Sequence, residues 1–338
     1  MAFSNTDGTL TEALGMKMPD MQEEATSNRS GQPLVSVIIP TYNRSWSLRK
    51  SVESVFKQTY HPIECLIIDD GSTDDSTDIL KHLVNECPDG IDIRYFKKEN
   101  GGGNSARNRG LLESKGDFIC YLDSDDMLIN DSINERASVL IENPDIDFCY
   151  GLCSVRDEND KETMIMNNPW PTMDESRISR YLFHTSSPLI RRSTCSKIGL
   201  WREDDSGAQE YEYFARLKYF SSKVAFIDRI LSVYVRHKKG SLWDKGLPYS
   251  LSIFKNLLAV KALVVYGKYD NAQERFELSM EFRKLAKLFL RFGEYEKVQK
   301  ALHESLILKF SIKVCAQWLA VKFREVWGHI FSSKTLPG

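Results

Sequence analysis

Short apolar runs alternate with amphipathic stretches through the first half of the chain. Each run is rich in β-branched and aromatic residues, as expected for a buried strand. After the first run, Leu48, Val52, Val55 and Phe56 recur at helical spacing and predict an amphipathic helix over about Ser47–Gln58. The predicted strands are residues 34–40, 64–68, 91–96 and 117–122.

Polar side chains cluster directly after three of the four predicted strands. Strands that are apolar throughout are typical of a parallel sheet covered by helices on both faces. The expected fold class is therefore α/β, with a mostly parallel sheet. Ligands bind such sheets at the carboxyl ends of the strands, so the clusters are expected to form one site. They are residues 41–44, 69–70 and 123–126.

The rest of the chain predicts a tail, a mixed segment and a helical end. Residues 1–33 lack sustained periodicity, so we expect a mobile N-terminal tail followed by a domain over 34–245. The pattern over 246–338 is helical almost throughout. Further expected elements are short strands at 148–155, 224–227 and 232–235, a helix near 210–220, and helix-turn-helix joints at 266–269 and 292–295.

Composition narrows the class of protein. The hydrophobic fraction is 42 % and the formal net charge is −2, which is ordinary for a globular protein and makes nucleic acid a poor main partner. The seven cysteines include no pair of CxxC motifs, so buried reduced thiols are favoured over a zinc site. No stretch reaches the ~18 apolar residues of a membrane span, and the N-terminus lacks an apolar signal core. A cytoplasmic location is expected.

The C-terminal segment Val314–Phe331 interleaves apolar and basic residues. This pattern predicts either a helix lying peripherally on the inner membrane surface or a helix packed on its neighbours or on a second subunit.

The acidic cluster Asp123–Ser124–Asp125–Asp126 is the strongest candidate for chemistry. Three carboxylates this close raise one another's pKa unless a cation lies between them. Oxygen ligands of this kind suit Mg²⁺ or Mn²⁺. The alternative is that these residues only begin a helix beyond Met127.

Two further clusters have ligand-binding and structural interpretations. A carboxylate of Asp69–Asp70 can accept hydrogen bonds from a nucleobase or ribose, or the pair can belong to a turn in which Ser72 or Thr73 caps the next helix. The glycines of 100–108 allow close approach to a ligand, and Arg107 can pair with phosphate; a flexible loop is the alternative. Neither a GxxxxGK[ST] phosphate loop nor a GxGxxG fingerprint is present.

Taken together, these segments resemble the inverting glycosyltransferase family 2, which has the GT-A fold. Their order and spacing fit the family over about residues 34–240. The matching stretches are Val35–Arg44, Ser54–Tyr60, Ile67–Asp74, Ala106–Gly110 and Gly116–Asp126.

The resemblance implies a nucleotide-sugar donor, usually UDP-linked, and a divalent metal. Asp123–Ser124–Asp125 resembles the family's DxD motif, in which Asp125 would ligate Mn²⁺ or Mg²⁺ and Asp123 would face the ribose or sugar. His237, in a segment resembling the family's Tyr-Arg-x-His, would be a further metal or phosphate ligand, or a solvated side chain. The implied donor-binding residues are Pro40, Thr41, Tyr42, Arg44, Asp70, Arg107, Asp123 and Ser124, with Asp123, Asp125 and His237 at the metal.

The family takes its catalytic base from a late acidic motif that opens a helix carrying an Arg. Counting back from Arg216 places Glu210 at the base position, with Gln209 in place of the usual first acid. Asp204 and Asp205 are competitors, and exposed helix positions are the structural alternative for Glu210 and Glu212. His184, with Ser186 and Ser187, is a weaker candidate near the acceptor.

The expected function is metal-dependent, inverting transfer of a hexose or N-acetylhexosamine to a glycan or lipid-linked acceptor in cell-surface polysaccharide synthesis. The alternatives are a metal-dependent nucleotidyltransferase and a catalytically weak binding protein on the same fold.

Overall fold

The computed structural model describes residues 31–166, 184–204, 209–237, 246–266, 270–309, 311, 314–319 and 321. These residues fall in two compact units, with those up to residue 237 in an α/β unit and those from residue 246 in a helical unit. The tail expected at 1–33 lies outside the described residues except for its last three positions.

The α/β unit begins with strands and helices that alternate along the chain. Its first strand is uninterruptedly buried, as the apolar run predicts. The elements are β1 (Val35–Thr41), α1 (Ser45–Phe56), β2 (Ile63–Asp69), α2 (Ser76–Asn85), β3 (Ile91–Lys97), α3 (Gly103–Glu113), β4 (Phe118–Tyr121), β5 (Met127–Leu128), α4 (Ser132–Glu142), β6 (Phe148–Arg156), β7 (Glu162–Met166), β8 (Leu189–Arg191), α5 (Arg192–Ile198), α6 (Gln209–Phe220) and β9 (Val224–Val235).

One nine-stranded sheet runs through this unit in the order β3-β2-β1-β4-β8-β6-β9-β5, with β7 paired to β6. Strands β1 to β4 are parallel to their neighbours in that group. Beyond β4 the sheet is mixed, because β8 runs antiparallel to both β4 and β6 while β6 and β9 are parallel. The α/β class is confirmed, and the mostly parallel sheet holds only for the first half.

Parallel pairing brings the three polar clusters to one edge. In register, Thr41 lies opposite Asp69 and Ile38 lies opposite Tyr121, so the residues after β1, β2 and β4 leave the sheet side by side. Helix α3 packs closely over β1 and β2 because Gly110 has no side chain; a Cβ there would overlap the side chain of Ile38. This close packing fixes the distance between α3, which carries Arg107, and the edge of the sheet.

Several local predictions needed correction. Helix α2 begins at Ser76 after Asp75, and neither Ser72 nor Thr73 caps it. The strands expected at 224–227 and 232–235 form one strand, β9. Both halves of β9 pair with β6, because the register between the two strands shifts at Gly151 and Leu152 of β6. Short strands β5, β7 and β8 are too brief to give a periodic signal.

The helical unit contains α7 (Leu247–Tyr266), α8 (Ala272–Arg291) and α9 (Tyr295–Leu308). The joint expected at 292–295 is present, and Gly293 adopts φ 72° there. The joint expected at 266–269 lies largely outside the described residues. A buried hydroxyl pair, Ser279 with Ser305 at 2.8 Å, links α8 and α9.

Among the described residues, one helical segment, Leu247–Val265, is long and apolar enough by length and composition to cross a membrane. Its mean hydropathy is 1.3, and 50 % of it is buried inside the protein. The sequence expectation concerned an uninterrupted apolar run, which Lys255 and Lys261 break, whereas mean hydropathy averages over these lysines. The core helix of a soluble protein passes the same test.

Candidate active site

The acidic loop after β4 turns towards the sheet edge and does not begin a helix. It continues into strand β5, and the next helix starts only at Ser132. The helix-start alternative for this cluster is therefore wrong. Helix α1 stabilises the loop, because the Ser47 hydroxyl donates a hydrogen bond to the carbonyl of Ser124 at 2.8 Å.

Asp123 lies in a tight ion pair with Arg107 of α3. The guanidinium Nη2 donates to Asp123 Oδ1 at 2.7 Å, and its Nη1 donates to Asn104 Oδ1 at 3.1 Å. The guanidinium also lies 4.8 Å from the ring centroid of Trp201. Burial, the largest single influence, would raise the pKa of Asp123, but the charge and hydrogen bond of Arg107 together with the charges of His184 and Arg44 outweigh burial and lower the pKa.

Asp125 has different neighbours from Asp123, at longer distances. Its Oδ2 lies 3.5 Å from Arg44 Nη2 and 4.0 Å from His237 Nε2. Burial raises the pKa of Asp125, Arg44 opposes that rise, and the neighbouring Asp123 charge adds to it. Burial therefore disfavours the ionised form of Asp125.

Asp126 is the buried member of the cluster. It accepts hydrogen bonds from Ser186 Oγ at 3.2 Å and from the Val235 amide at 3.3 Å, and His184 Nε2 lies 3.3 Å from its Oδ2. Burial, reinforced by Asp125 and Asp123, raises its pKa well above the ordinary value. Asp126 had no predicted role apart from the acidic cluster, and the sequence spacing carries no signal for its contact with His184.

His184 and Ser186 lie in the site, while Ser187 has a structural role. The His184 ring packs on Tyr234 with 4.7 Å between centroids. Ser187 donates its hydroxyl to the Gly151 carbonyl at 2.8 Å, away from the acids.

Asp70 organises the glycine-rich loop. Its carboxylate accepts hydrogen bonds from Lys98 Nζ at 2.6 Å and from the amides of Gly101 and Gly102 at 3.0 and 2.7 Å. Gly102 has φ 90°, a conformation that other residues rarely adopt, and helix α3 begins directly after it. The buried carboxylate thus sets the position of Arg107 by fixing the start of its helix.

The residues at the end of β1 lie where the nucleotide is expected to bind. Pro40 pairs in register with Ile68, and the Thr41 carbonyl accepts the Asp70 amide at 2.9 Å. Thr41 Oγ1 is buried and has no hydrogen-bond partner among the described residues. Tyr42, next in the chain, is 48 % exposed, so its ring is accessible from solvent.

Glu210 lies in the first turn of α6, half-buried near Asp123, Arg107 and His184. Burial raises its pKa, Arg107 and His184 oppose that rise, and the Asp123 charge adds to it. Glu210 is therefore not an exposed helix residue. Asp204 is exposed and ion-paired with Arg202 at 2.7 Å, and Asp205 lies outside the described residues.

Glu212 has a structural role. It is 1 % exposed and forms a two-point ion pair with Arg216, with distances of 2.6 and 2.8 Å. Arg216 in turn donates to the carbonyls of Ile198 and Leu200, which joins α6 to the end of α5. The exposed-position alternative is wrong for Glu212 as well.

Glu212→Gln is expected to destabilise the protein by about 3–5 kcal/mol, because it leaves the buried Arg216 charge without its carboxylate. Glu113→Gln is the matched control, since Glu113 forms an i,i+4 pair with Arg109 at 2.7 Å near the surface and should cost roughly 0.5 kcal/mol or less. Urea unfolding of both variants measures the difference; equal midpoints would contradict the structural role of Glu212.

The residues around Asp125 fit a divalent cation that is completed by a ligand. His237 Nε2 is buried without a hydrogen-bond partner among the described residues and faces Asp125 Oδ2. The described residues contain no group of three or more His, Cys, Asp or Glu side chains arranged to hold a metal, and Asp123 is engaged by Arg107. One or two protein ligands plus phosphate oxygens and water is the coordination that Mg²⁺ and Mn²⁺ adopt with nucleotide substrates.

The carboxylates after β2 and β4, the arginine of α3 and the half-buried Glu210 of α6 therefore meet at one edge of the parallel half of an α/β sheet. Residues 36–194 match the family described as Glycosyl transferase family 2. The chain carries a family 2 glycosyltransferase domain of the GT-A fold, as the sequence predicted.

An uncharacterised glycosyltransferase of Rickettsia typhi is 30 % identical over 213 residues, which are 61 % of this chain and 62 % of the relative. The matched regions span 15 to 62 % of the curated relatives' lengths.

Two solved structures share the fold. Staphylococcus aureus TarS 1–349 in complex with UDP gives a TM-score of 0.61 at 18 % identity, covering 81 % of this chain and 80 % of that one. Mannosyltransferase PcManGT from Pyrobaculum calidifontis, in complex with GDP-Man and Mn²⁺, gives 0.54 at 16 % identity, covering 93 % and 85 %.

Proposed function

We propose that this protein transfers a sugar from a UDP-linked donor to a hydroxyl of a glycan or lipid-linked acceptor. The complex of its fold neighbour TarS with UDP supports the choice of nucleotide. The transfer is metal-dependent and inverts the anomeric centre. The observation that carries the proposal is the meeting of Asp125, the Asp123–Arg107 pair and Glu210 at one sheet edge.

The donor's nucleoside part lies over the end of β1. Tyr42 offers an exposed ring, and the buried Thr41 hydroxyl offers a hydrogen bond that no described residue takes up. Asp70 fixes the loop that borders this pocket. Arg107, already paired with Asp123, orients that carboxylate towards the ribose or sugar.

Asp125 and His237 would hold a divalent metal, either Mn²⁺ or Mg²⁺, whose chemistry is to neutralise the diphosphate as it leaves. The likeness to a mannosyltransferase whose structure contains Mn²⁺ supports this choice. The two carboxylates of the DxD motif then have different roles. Asp125 would hold the metal, whereas Asp123, which is paired with Arg107, would face the ribose or sugar.

Glu210 acts as the base. The acceptor hydroxyl gives its proton to the Glu210 carboxylate, and its oxygen attacks the anomeric carbon from the face opposite the diphosphate. The bond between that carbon and the diphosphate oxygen breaks, so a nucleoside diphosphate leaves and the configuration is inverted. The half-buried position of Glu210, near Asp123 but on another element, supports this role.

The test uses the full chain with a panel of UDP- and GDP-linked hexoses and N-acetylhexosamines, with and without Mn²⁺. Release of a nucleoside diphosphate with a product of inverted configuration supports the proposal, whereas pyrophosphate identifies a nucleotidyltransferase. Nucleotide binding with no turnover of any donor identifies a binding protein on this fold.

We also expect a role in cell-surface polysaccharide synthesis at the cytoplasmic side of the membrane, with peripheral contact or self-association through the C-terminal helices. The apolar and basic residues of Val314–Phe331 motivate this expectation, and most of that segment lies outside the described residues. Flotation of the full chain with anionic liposomes tests it; a chain that stays at the bottom lacks the membrane contact.

A further inference from the structure

Four side chains form a closed ring of contacts at Asp125. Arg44 pairs with Asp125 at 3.5 Å, and its guanidinium lies 5.3 Å from the ring centroid of Trp46. Trp46 makes an edge-on contact with His237, with 4.6 Å between centroids, and His237 Nε2 returns to Asp125 at 4.0 Å. Trp46 is 54 % exposed, although large aromatic residues are usually buried.

The two arginines of the site hold their carboxylates very differently. The Arg107 side chain is 10 % exposed, hydrogen-bonded to Asp123 and packed on Trp201. The Arg44 side chain is 33 % exposed and lies too far from Asp125 for a good hydrogen bond. Arg107 is therefore fixed by its neighbours, whereas Arg44 can leave its carboxylate at little cost.

We propose that Arg44 is the resident counter-cation of Asp125, and that loading of the divalent metal and the donor moves its guanidinium from Asp125 to the donor's diphosphate. This inference rests on the proposed function, because it assigns a second position to a side chain of the same site. It also makes Trp46 the surface against which the guanidinium rests before the exchange.

Charge and geometry both favour this exchange. The Arg44 guanidinium and a divalent metal compete for the Asp125 carboxylate. The divalent cation has twice the charge and is attracted more strongly. The planar fork of arginine matches phosphate oxygens, so the displaced side chain gains a partner when the diphosphate arrives. Only the side chain needs to move, because the Arg44 carbonyl accepts the amides of Ser47 and Leu48 and starts helix α1.

The exchange predicts opposite effects of one substitution on two ligands. Without nucleotide, Arg44→Gln should bind Mn²⁺ about three- to fivefold more tightly, because the competing cation is gone. With saturating Mn²⁺, the same variant should bind UDP about tenfold more weakly, because a charge-assisted contact to phosphate is lost. Electron paramagnetic resonance of unbound Mn²⁺ measures the first affinity, and calorimetry measures the second.

Two further variants separate charge from shape. Arg44→Lys keeps the positive charge but not the fork, so Mn²⁺ affinity should stay near that of the parent while UDP affinity falls. Arg49→Gln is the matched control, since Arg49 lies in helix α1, which begins directly after Arg44, and pairs with Glu86 at 2.7 Å in a solvent-exposed ion pair. Arg49→Gln should leave both affinities unchanged.

Trp46 gives a direct readout of the movement. Addition of Mn²⁺ and UDP should change the fluorescence of the parent by a component that is absent in Trp46→Phe and strongly reduced in Arg44→Gln. Mn²⁺ affinity that is unchanged or weaker in Arg44→Gln would overturn the exchange. Failure of the parent to bind UDP with Mn²⁺ would instead overturn the proposed function, so the two failures are distinguishable.

Discussion

Asp125→Asn is expected to lower sugar transfer about a thousandfold in the presence of Mn²⁺. The substitution keeps the size of the side chain but removes the charge that would hold the metal, whose help to a leaving diphosphate amounts to several kcal/mol. Initial rates of nucleoside diphosphate release, with the parent's best donor, measure the effect.

The same variant should not be less stable than the parent when no metal is present. Burial and the Asp123 charge raise the pKa of Asp125, so in the folded protein its ionised form is disfavoured relative to the unfolded chain. The stability that a raised carboxyl pKa contributes is present at low pH and is lost as pH rises through the folded pKa. At neutral pH the neutral amide therefore removes an unfavourable charge, and the thermal midpoint of Asp125→Asn should equal or exceed the parent's.

Asp160→Asn is the control for this prediction. Asp160 lies in the exposed turn between β6 and β7, pairs with Arg156 and has φ 62°, a conformation that asparagine also adopts. It should leave transfer unchanged. Full transfer by Asp125→Asn with Mn²⁺ present would refute the metal role of Asp125.

The position of the acids could be read from the sequence because each follows a strand that is apolar throughout. Continuous apolar runs predict strands buried on both faces, and parallel pairing then places their carboxyl ends together. The motifs around Asp70 and Asp123 added the family and its fold. Arg107 was predicted from a different signal, because the glycines before it allow close approach to a ligand and its guanidinium can pair with phosphate.

The second half of the sheet and the contacts among site residues could not be read in this way. Strand β8 has three residues, too few for a period-2 pattern, and its antiparallel pairing to β4 depends on packing across the whole unit. The contacts of Asp126 with His184 and of Asp125 with Arg44 join residues that are distant in the chain. Local periodicity carries no information about such partners, which is why Trp46 and Asp126 received no role beforehand.

Glu210→Gln is expected to lower the turnover rate about a thousandfold while leaving donor affinity close to that of the parent. The amide has the shape of the carboxylate but cannot accept the acceptor's proton, and a positioned general base contributes about 10²–10⁴-fold. Single-turnover transfer and calorimetry with UDP and Mn²⁺ measure the two quantities separately.

The pH dependence gives an independent check on the same residue. A base works only when it is unprotonated, so transfer should fall as pH drops through the pKa of Glu210. Because burial and the Asp123 charge raise that pKa, the acid limb should lie above the range of an ordinary glutamate. Glu210→Gln should flatten this limb, whereas a metal-binding defect would lower the rate without flattening it.

Glu210→Asp decides whether the longer side chain matters. If Glu210 reaches the acceptor directly, shortening it by one methylene draws the carboxylate back, and transfer should fall by about tenfold but keep its acid limb. Glu212 cannot take over, because both of its carboxylate oxygens are held by Arg216. Retention of full activity and of the acid limb by Glu210→Gln would therefore move the base to another element, with His184, beside Asp126, the next residue to test.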